Sequence, residues 1–387
     1  MNAREAAYHA LLSSLREEQF IQSFLEQWKC ENNPDPRDYN FTQELAYGTM
    51  RRWRTLEYYA KQLAPLKLKR KEKALLLLAL YQAKMMDKVP MHAIVNESVE
   101  CAKKNCHHGF VKFLNAVLRK IPQLSDELPD DLGIRYSYPE FFVQELLKQA
   151  DRSEVIKILD TENFPSKTMA RIRAPDHHFE TFVDTPFPMT ILDRYIDSPD
   201  LYIQNVTPVT LIGECARHLP KPPRNILDLC ASPGGKSLAL HDLFPQAKLF
   251  MNDVSEAKIQ RIQENLDKYQ VEATLSISRG EEYPSDQKFD LIVLDVPCSN
   301  SGVLNKRPEA RWRITPESLK ELKSLQRRLL KHALTLLEPG GQLWFMTCSI
   351  LNTEHDLPEL ENNRIFQKLI IPNKDGWDGG YTCIIKS

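Results

Sequence analysis

Two cysteines carry the strongest chemical signal in this chain. The segment DVPCSNSG, residues 295–302, ends the apolar run FDLIVLD with an acid, a thiol and two hydroxyls. Further on, QLWFMTC runs into Thr347-Cys348-Ser349. Each thiol therefore falls where a short β-rich run stops. A thiolate is a strong nucleophile, whereas a thiol among apolar groups is inert filler. Taken singly, either cysteine reads as filler. As a pair ending neighbouring strands they point to chemistry, because ligands in open α/β sheets bind at the carboxyl ends of the strands.

A binding turn precedes them. NILDLCASPGGKS, residues 225–237, is a strand running through Gly234 and Gly235 into a helix. Glycines permit close backbone approach, and a helix start offers free N–H groups to a nucleotide-like ligand. Gly235-Lys236-Ser237 is the end of a phosphate-binding GK[ST] loop, but Cys230 stands where that loop needs its first glycine. The next strand ends in Asp253, 18 residues after Gly235. An acid there accepts hydrogen bonds from a ribose diol, and it serves equally well as the cap of the following helix. Turn and acid together favour an adenosine-containing cofactor.

The elements that position these residues follow from periodicity. Residues 1 to about 122 repeat apolar side chains at helical spacing in AREAAYHALLSSL, FTQELAYGTMRRWRTLEYYAKQLA, KALLLLALYQAKMM, AIVNESVECAKKN and GFVKFLNAVLRKI. Pro34, Pro36, Pro65, Pro90 and Gly109 separate them, and PQLSDELPDD reads as a linker. Residues 133–200 mix helical stretches (FFVQELLKQA, SEVIKILDTE) with strand-like ones (TMARIRA, TPFPMTILDRYI). Beyond Pro223, NILDLC, KLFMND, TLSIS, FDLIVLD and QLWFMTC alternate with helical segments, the signature of a parallel sheet covered on both faces. FQKLIIPN and YTCIIKS supply two more strands.

Composition bounds the class. At 387 residues, with 42% apolar and 27% charged residues, the chain is a globular protein of two or three domains. Its longest apolar run, ALLLLAL, is too short to span a bilayer, and MNAREAAYHALL lacks the features of a secretory signal. Eight irregularly spaced cysteines fit a reducing cytoplasm rather than a disulfide framework. Cys101, Cys106, His107 and His108 fall on different faces of a helix, so no metal site is expected. A net charge of −1 excludes a globally basic binder. Local basic clusters remain at Arg51, Arg52 and Arg54, at Lys67, Lys69, Arg70, Lys71 and Lys73, and at Lys306, Arg307, Arg311 and Arg313. Each could be a solvated face; their recurrence favours an acidic polymer as partner.

DLCASPGGKS, DVPCSNSG and TCS, in that order, resemble the motifs of the Sun/Fmu (RsmB-type) S-adenosylmethionine-dependent RNA cytosine-C5 methyltransferases. ELAYGTMRR, LYQAKMMDKVPMHAIVNESVE and FLNAVLRKI are similar to the NusB-like domain of the ribosomal RNA branch, and YIQNVTPVTL to the segment before the catalytic domain. The resemblance implies an all-α NusB-like RNA-binding domain over 1–125 and a small α+β linking subdomain over 133–200. Over 201–387 it implies a Rossmann-like class I methyltransferase domain with a seven-stranded, mostly parallel sheet.

It further implies methylation of C5 of a cytosine in 16S ribosomal RNA through a covalent bond from Cys348 to C6. Cys298 would release the product, Asp295 would face the base and the methyl end of the cofactor, and Lys236 would support the site's electrostatics. S-adenosylmethionine would be held by Cys230, Ala231, Ser232, Pro233, Gly234, Gly235 and Lys236, with Asp253 on the ribose and Glu281 at the adenine. The alternatives are attack by Cys298, as in DNA cytosine methyltransferases, the same chemistry on transfer RNA or another ribosomal site, and a non-catalytic RNA-binding assembly factor. Asn300 replaces a usual glycine after the PCS cysteine, and Asn is the next most willing residue to take positive φ.

Overall fold

The computed structural model describes residues 1–64, 67–174, 179–181, 185–192, 196–284, 286–361 and 363–387. Pro65 and residues 193–195 of the Pro-rich stretch lie outside the described residues. The chain divides into two compact units, Met1–Asn163 with Arg307–Arg313, and Phe164–Lys306 with Ile314–Ser387.

The first unit is helical: α1 (Ala3–Leu15), α2 (Ile21–Asn32), α3 (Pro36–Arg51), α4 (Trp53–Leu63), α5 (Arg70–Met85), α6 (Met91–Asn105), α7 (His108–Leu118), α8 (Leu132–Arg135), α9 (Glu140–Gln149) and α10 (Arg152–Thr161). Starts are set by side-chain caps: Asn2 accepts from the Glu5 N–H, Asp35 from Arg37 ahead of Pro36, and Asp151 from Ser153 and Glu154. The ALLLLAL stretch makes α5 apolar all round, and such a helix must be enclosed. It packs on α1, α3, α4, α6 and α7, with Ala74 to Gln82 buried.

Residues Arg307–Arg313 complete this unit as a short 3-10 turn. Glu309 accepts from the Ile21 N–H at 3.2 Å, and the Trp312 indole donates to the Met50 carbonyl at 3.1 Å. Arg311 is fully buried and Arg51 is 7% exposed. These two do not belong to the surface basic clusters expected from the sequence. The Arg311 guanidinium donates to the carbonyls of Arg51, Ser137 and Glu162, two of which end helices α3 and α10.

The second unit opens with a small antiparallel sheet of β1 (Thr168–Ile172), β2 (Met189–Leu192) and β3 (Leu201–Ile203) in the order β2-β1-β3. Helix α11 (Val206–Ala216) leads into the main sheet. Its elements are β4 (Asn225–Asp228), α12 (Gly235–Leu243), β5 (Lys248–Asp253), α13 (Glu256–Tyr269), β6 (Thr274–Ile277), β7 (Phe289–Asp295), α14 (Pro316–Thr335), β8 (Leu337–Thr347), the short α15 (Asn352–His355) and α16 (Pro358–Glu361), β9 (Arg364–Ile370) and β10 (Gly380–Lys386).

The strand order is β6-β5-β4-β7-β8-β10-β9, parallel from β6 to β8, with β10 antiparallel to both neighbours. Both faces are covered, as strands apolar on both sides require. Ile226, Leu291, Val293, Trp344 and Ile384 pack with residues of α11, α12 and α13 on one side; Leu227, Ile292, Leu294, Phe345 and Ile385 pack with residues of α14 on the other. Chain direction across the sheet reverses at β4, so β4 and β7 flank the switch point where such sheets bind ligands. Among the described residues no helix is long and apolar enough to cross a membrane.

Candidate active site

Strands β7 and β8 are parallel neighbours, and their carboxyl ends bring the two sequence-distant thiols together. The Cys298 and Cys348 sulfurs lie 2.9 Å apart. Asn300 takes φ 59°, the conformation expected of a glycine replacement. Its side chain does more than a glycine could: Nδ2 donates to the Cys298 carbonyl at 3.2 Å, and Oδ1 accepts from the Cys348 thiol at 3.3 Å. Gly302 is required by close approach. Its N–H donates to the Cys348 carbonyl at 2.9 Å, and a Cβ would stand 2.8 Å from that oxygen. The Ser301 hydroxyl, 2.9 Å from the Ser349 hydroxyl, accepts from the Ile350 N–H at 3.0 Å, tying one turn to the other.

Electrostatics distinguish Cys348 from an ordinary thiol. The hydrogen bond to Cys298 pushes Cys348 well above the usual thiol range, and burial and the Asp295 carboxylate add to this. Lys236 acts in the opposite sense on Cys348. The Lys236 ammonium pairs with Asp295 at 2.5 Å. Burial opposes the charge on Lys236, but the charge and hydrogen bond of Asp295 outweigh it and hold the ammonium above its ordinary range. Lys236 is thus a fixed cation at neutral pH, not a base.

The turn after β4 builds the second half of the site. Asp253 at the end of β5 accepts from the Ser232 N–H at 3.0 Å, the Val254 N–H at 2.7 Å and Lys258 at 2.9 Å. The Ala231 N–H donates to the Asn252 carbonyl at 2.9 Å, and the Ser232-Pro233 peptide is cis. Gly234 has φ 104°, and a Cβ on Gly235 would fall 2.8 Å from the Tyr202 ring. Asp228, which ends β4, accepts from Ser237 at 2.5 Å; burial pushes it up to about 7 against that bond. Its other oxygen, like Oε1 of Gln204, is buried with no hydrogen-bond partner in the protein. Buried acceptors without partners beside a glycine cradle fit a polar ligand. Sequence reasoning passed over Asp228, although an acid ending a strand was the signal used for Asp253.

Glu281 is turned toward cations, with Arg279 at 2.9 Å and Arg328 at 3.6 Å. Of the expected basic clusters, Lys306 pairs with Asp378 at 2.5 Å, Lys71 donates to the Asn105 carbonyl and Lys73 pairs with Glu57. Asn205 caps α11 through Oδ1 and donates Nδ2 to the Gly376 carbonyl at 2.8 Å, a bond no carboxylate can make.

Glu354 has no local sequence signal that would single it out. It is fully buried in α15 beneath the Cys298 turn. It accepts from the Ser299 N–H at 3.0 Å, from the Ser299 hydroxyl and from Gln326 at 3.0 Å, while Gln326 also donates to the Pro297 carbonyl at 2.9 Å. Glu354→Ala leaves those donors buried and unpaired, and we expect a loss of about 2–4 kcal/mol in urea unfolding. Glu354→Gln, which keeps one acceptor, should lose less; equal stability of the Ala variant and the wild type would remove this role.

A parallel sheet with an antiparallel last pair, a glycine turn after its first strand and an acid ending its second is the Rossmann-like class I methyltransferase fold. The family model described as 16S rRNA methyltransferase RsmB/F matches residues 218–362, and that of the NusB family matches residues 1–123. The chain therefore joins a domain of the RsmB/F family of 16S rRNA methyltransferases to a domain of the NusB family. Ribosomal RNA small subunit methyltransferase B of Erwinia tasmaniensis is 28% identical over 94% of this chain and 96% of its own. The Yersinia pestis protein of the same name is 28% identical over 92% and 88%. The crystal structure of PH0851 superposes over 99% of this chain and 98% of its own, with a TM-score of 0.78 at 19% identity. A methyltransferase homologue from Pyrococcus horikoshii covers 67% of this chain and 100% of its own, with a TM-score of 0.54 at 21% identity. These two likenesses concern the fold.

Proposed function

We propose that the protein methylates C5 of a cytosine in small-subunit ribosomal RNA, with Cys348 as the nucleophile. The observation that carries this reading is the pair of thiols held at the ends of β7 and β8 beside the Lys236–Asp295 pair. Cytosine C5 is a weak nucleophile until a thiolate adds to C6 and makes C5 enamine-like. Cys348 forms the sulfur–C6 bond. S-adenosylmethionine, when bound, supplies the methyl group that C5 receives. Water then takes the C5 proton, the electrons of that C–H bond re-form the C5–C6 double bond, and Cys348 leaves C6 as a thiolate.

The geometry suits these roles. A base entering between the thiols breaks the Cys298–Cys348 hydrogen bond, which is the largest influence holding Cys348 protonated. Lys236 remains as the adjacent cation that favours the thiolate. Asp295, fixed by Lys236, is an acceptor at the strand end for the N3–N4 side of the ring. Cys298 stands on the neighbouring turn, where it assists release. The cofactor would lie over residues Cys230 to Lys236, with its amino group near the unpartnered oxygen of Asp228 and its ribose at Asp253. Contact of Glu281 with adenine would compete with Arg279 and Arg328.

Incubating the protein with S-adenosylmethionine and unmodified small-subunit RNA, followed by nucleoside mass spectrometry, should yield 5-methylcytidine. Transfer to another atom, or none to RNA, overturns the proposal.

A further inference from the structure

We propose that the outer face of α14 is a second contact surface for the substrate RNA, gripping its phosphate backbone behind the catalytic turn; this rests on the RNA-methylating function proposed above. Each of Lys320, Lys323, Ser324, Arg327, Arg328 and Lys331 has another of the set three or four residues away, so they share one face of the helix. They line a surface concavity of about 400 Å³ with five cations and one hydroxyl. The opposite face, with Leu319, Gln326, Leu329, Leu330 and Ala333, is buried. From Lys320 to Lys331 the stripe runs along about 16 Å of helix, room for more than one phosphate.

The arrangement is costly as a mere solvated face. Lys320 with Lys323, Lys323 with Arg327, Arg327 with Lys331 and Arg328 with Lys331 are like-charge neighbours on the helix, a spacing that destabilises it. Only part of that repulsion is relieved. Glu359 holds Arg327 at 2.8 Å and lies 3.6 Å from Lys331, and Glu281 lies 3.6 Å from Arg328. These acids are largely covered, while the cations they orient stay open: Arg327, Arg328 and Lys331 side chains are 44%, 52% and 63% exposed. A concave, outward-facing row of oriented cations matches a polyanion.

The helix is also fixed to the chemistry. Gln326, on its buried face, donates to the Pro297 carbonyl and to Glu354, the same contacts that hold the Cys298 turn. As the crossover from β7 to β8, α14 runs antiparallel to them, and its Lys320 end lies toward the carboxyl edge of the sheet. An RNA strand leaving the thiol pair on that side meets the stripe next.

The test is the salt dependence of binding to a small-subunit RNA transcript. Each phosphate contact contributes about 0.7 to 0.9 to the slope of log affinity against log salt. The double variant Lys320→Gln/Lys323→Gln should flatten the slope by about 1.4–1.8. Ser324→Lys, which adds a cation to the same row, should steepen it. Binding of S-adenosylmethionine, measured separately, should not change in either variant. A wild-type slope that neither variant moves overturns this surface and leaves it to solvent or to a protein partner. A wild-type protein that neither binds nor methylates RNA overturns the functional reading itself.

Discussion

Cys348→Ala is expected to abolish methyl transfer, by on the order of 10⁴-fold or more, as deletion of a covalent nucleophile does. Cys298→Ala is expected to behave differently. It retains the thiol that bonds C6 and loses the one that assists release, so a protein–RNA adduct should accumulate and survive a denaturing gel. The reverse pattern, trapping by Cys348→Ala and a silent Cys298→Ala, would assign attack to Cys298. A pH profile adds a second readout. The Cys348 thiol is raised well above its usual range, with the Cys298 hydrogen bond as the leading cause. Below its pKa the thiolate fraction grows about tenfold per pH unit, so alkylation of Cys348 in the free protein should climb steeply with pH. Removing Cys298 removes the leading cause, so the alkylation midpoint in Cys298→Ala should move to lower pH. An unmoved midpoint would show that the thiol contact does not control Cys348.

The parts of this molecule that follow from periodicity were legible in its sequence. The five helical stretches before residue 122 folded as helices, the second divided into α3 and α4 at Arg52, while α2 was not among them; every β-rich run after Pro223 became a strand of the main sheet. The cysteine pair was legible for the same reason, since both thiols end strands. Charge was harder to place. Arg51 and Arg311 sit in sequence clusters with other cations, yet both are buried, because a guanidinium can satisfy helix-terminal carbonyls that no periodicity reveals. Conversely, SLKELKSLQRRLLKH reads as an ordinary amphipathic helix with charges of both signs. Spacing alone puts its cations on one face, but only folding shows that Glu359 and Glu281 come from elsewhere in the chain to meet them. Glu354 was invisible as well: its partners Ser299 and Gln326 are 55 and 28 residues away, and a buried carboxylate has no local signature.

Arg311 makes a stability contribution that a single substitution tests. Its guanidinium donates at 3.0 Å to the carbonyl of Arg51, the last residue of α3, and at 3.3 Å to that of Glu162, the residue capping α10. It also reaches the Ser137 carbonyl and Asn163 Oδ1, each at 3.1 Å, and its Cζ lies 4.0 Å from the Tyr138 ring centre. Helix carboxyl ends carry orphan carbonyls and a partial negative charge, and one buried cation answers both. Burial lowers Arg311 to about 10, so it stays charged at neutral pH. Arg311→Met should therefore leave several buried carbonyls unpaired and cost about 3–5 kcal/mol in chemical denaturation. Arg311→Lys keeps the charge but cannot span four acceptors from one nitrogen, so it should recover only part of that loss. Hydrogen exchange should quicken first at the final turns of α3 and α10. A Met variant within about 0.5 kcal/mol of the wild type, the range of ordinary surface changes, would mean that Arg311 does not hold these helix ends together.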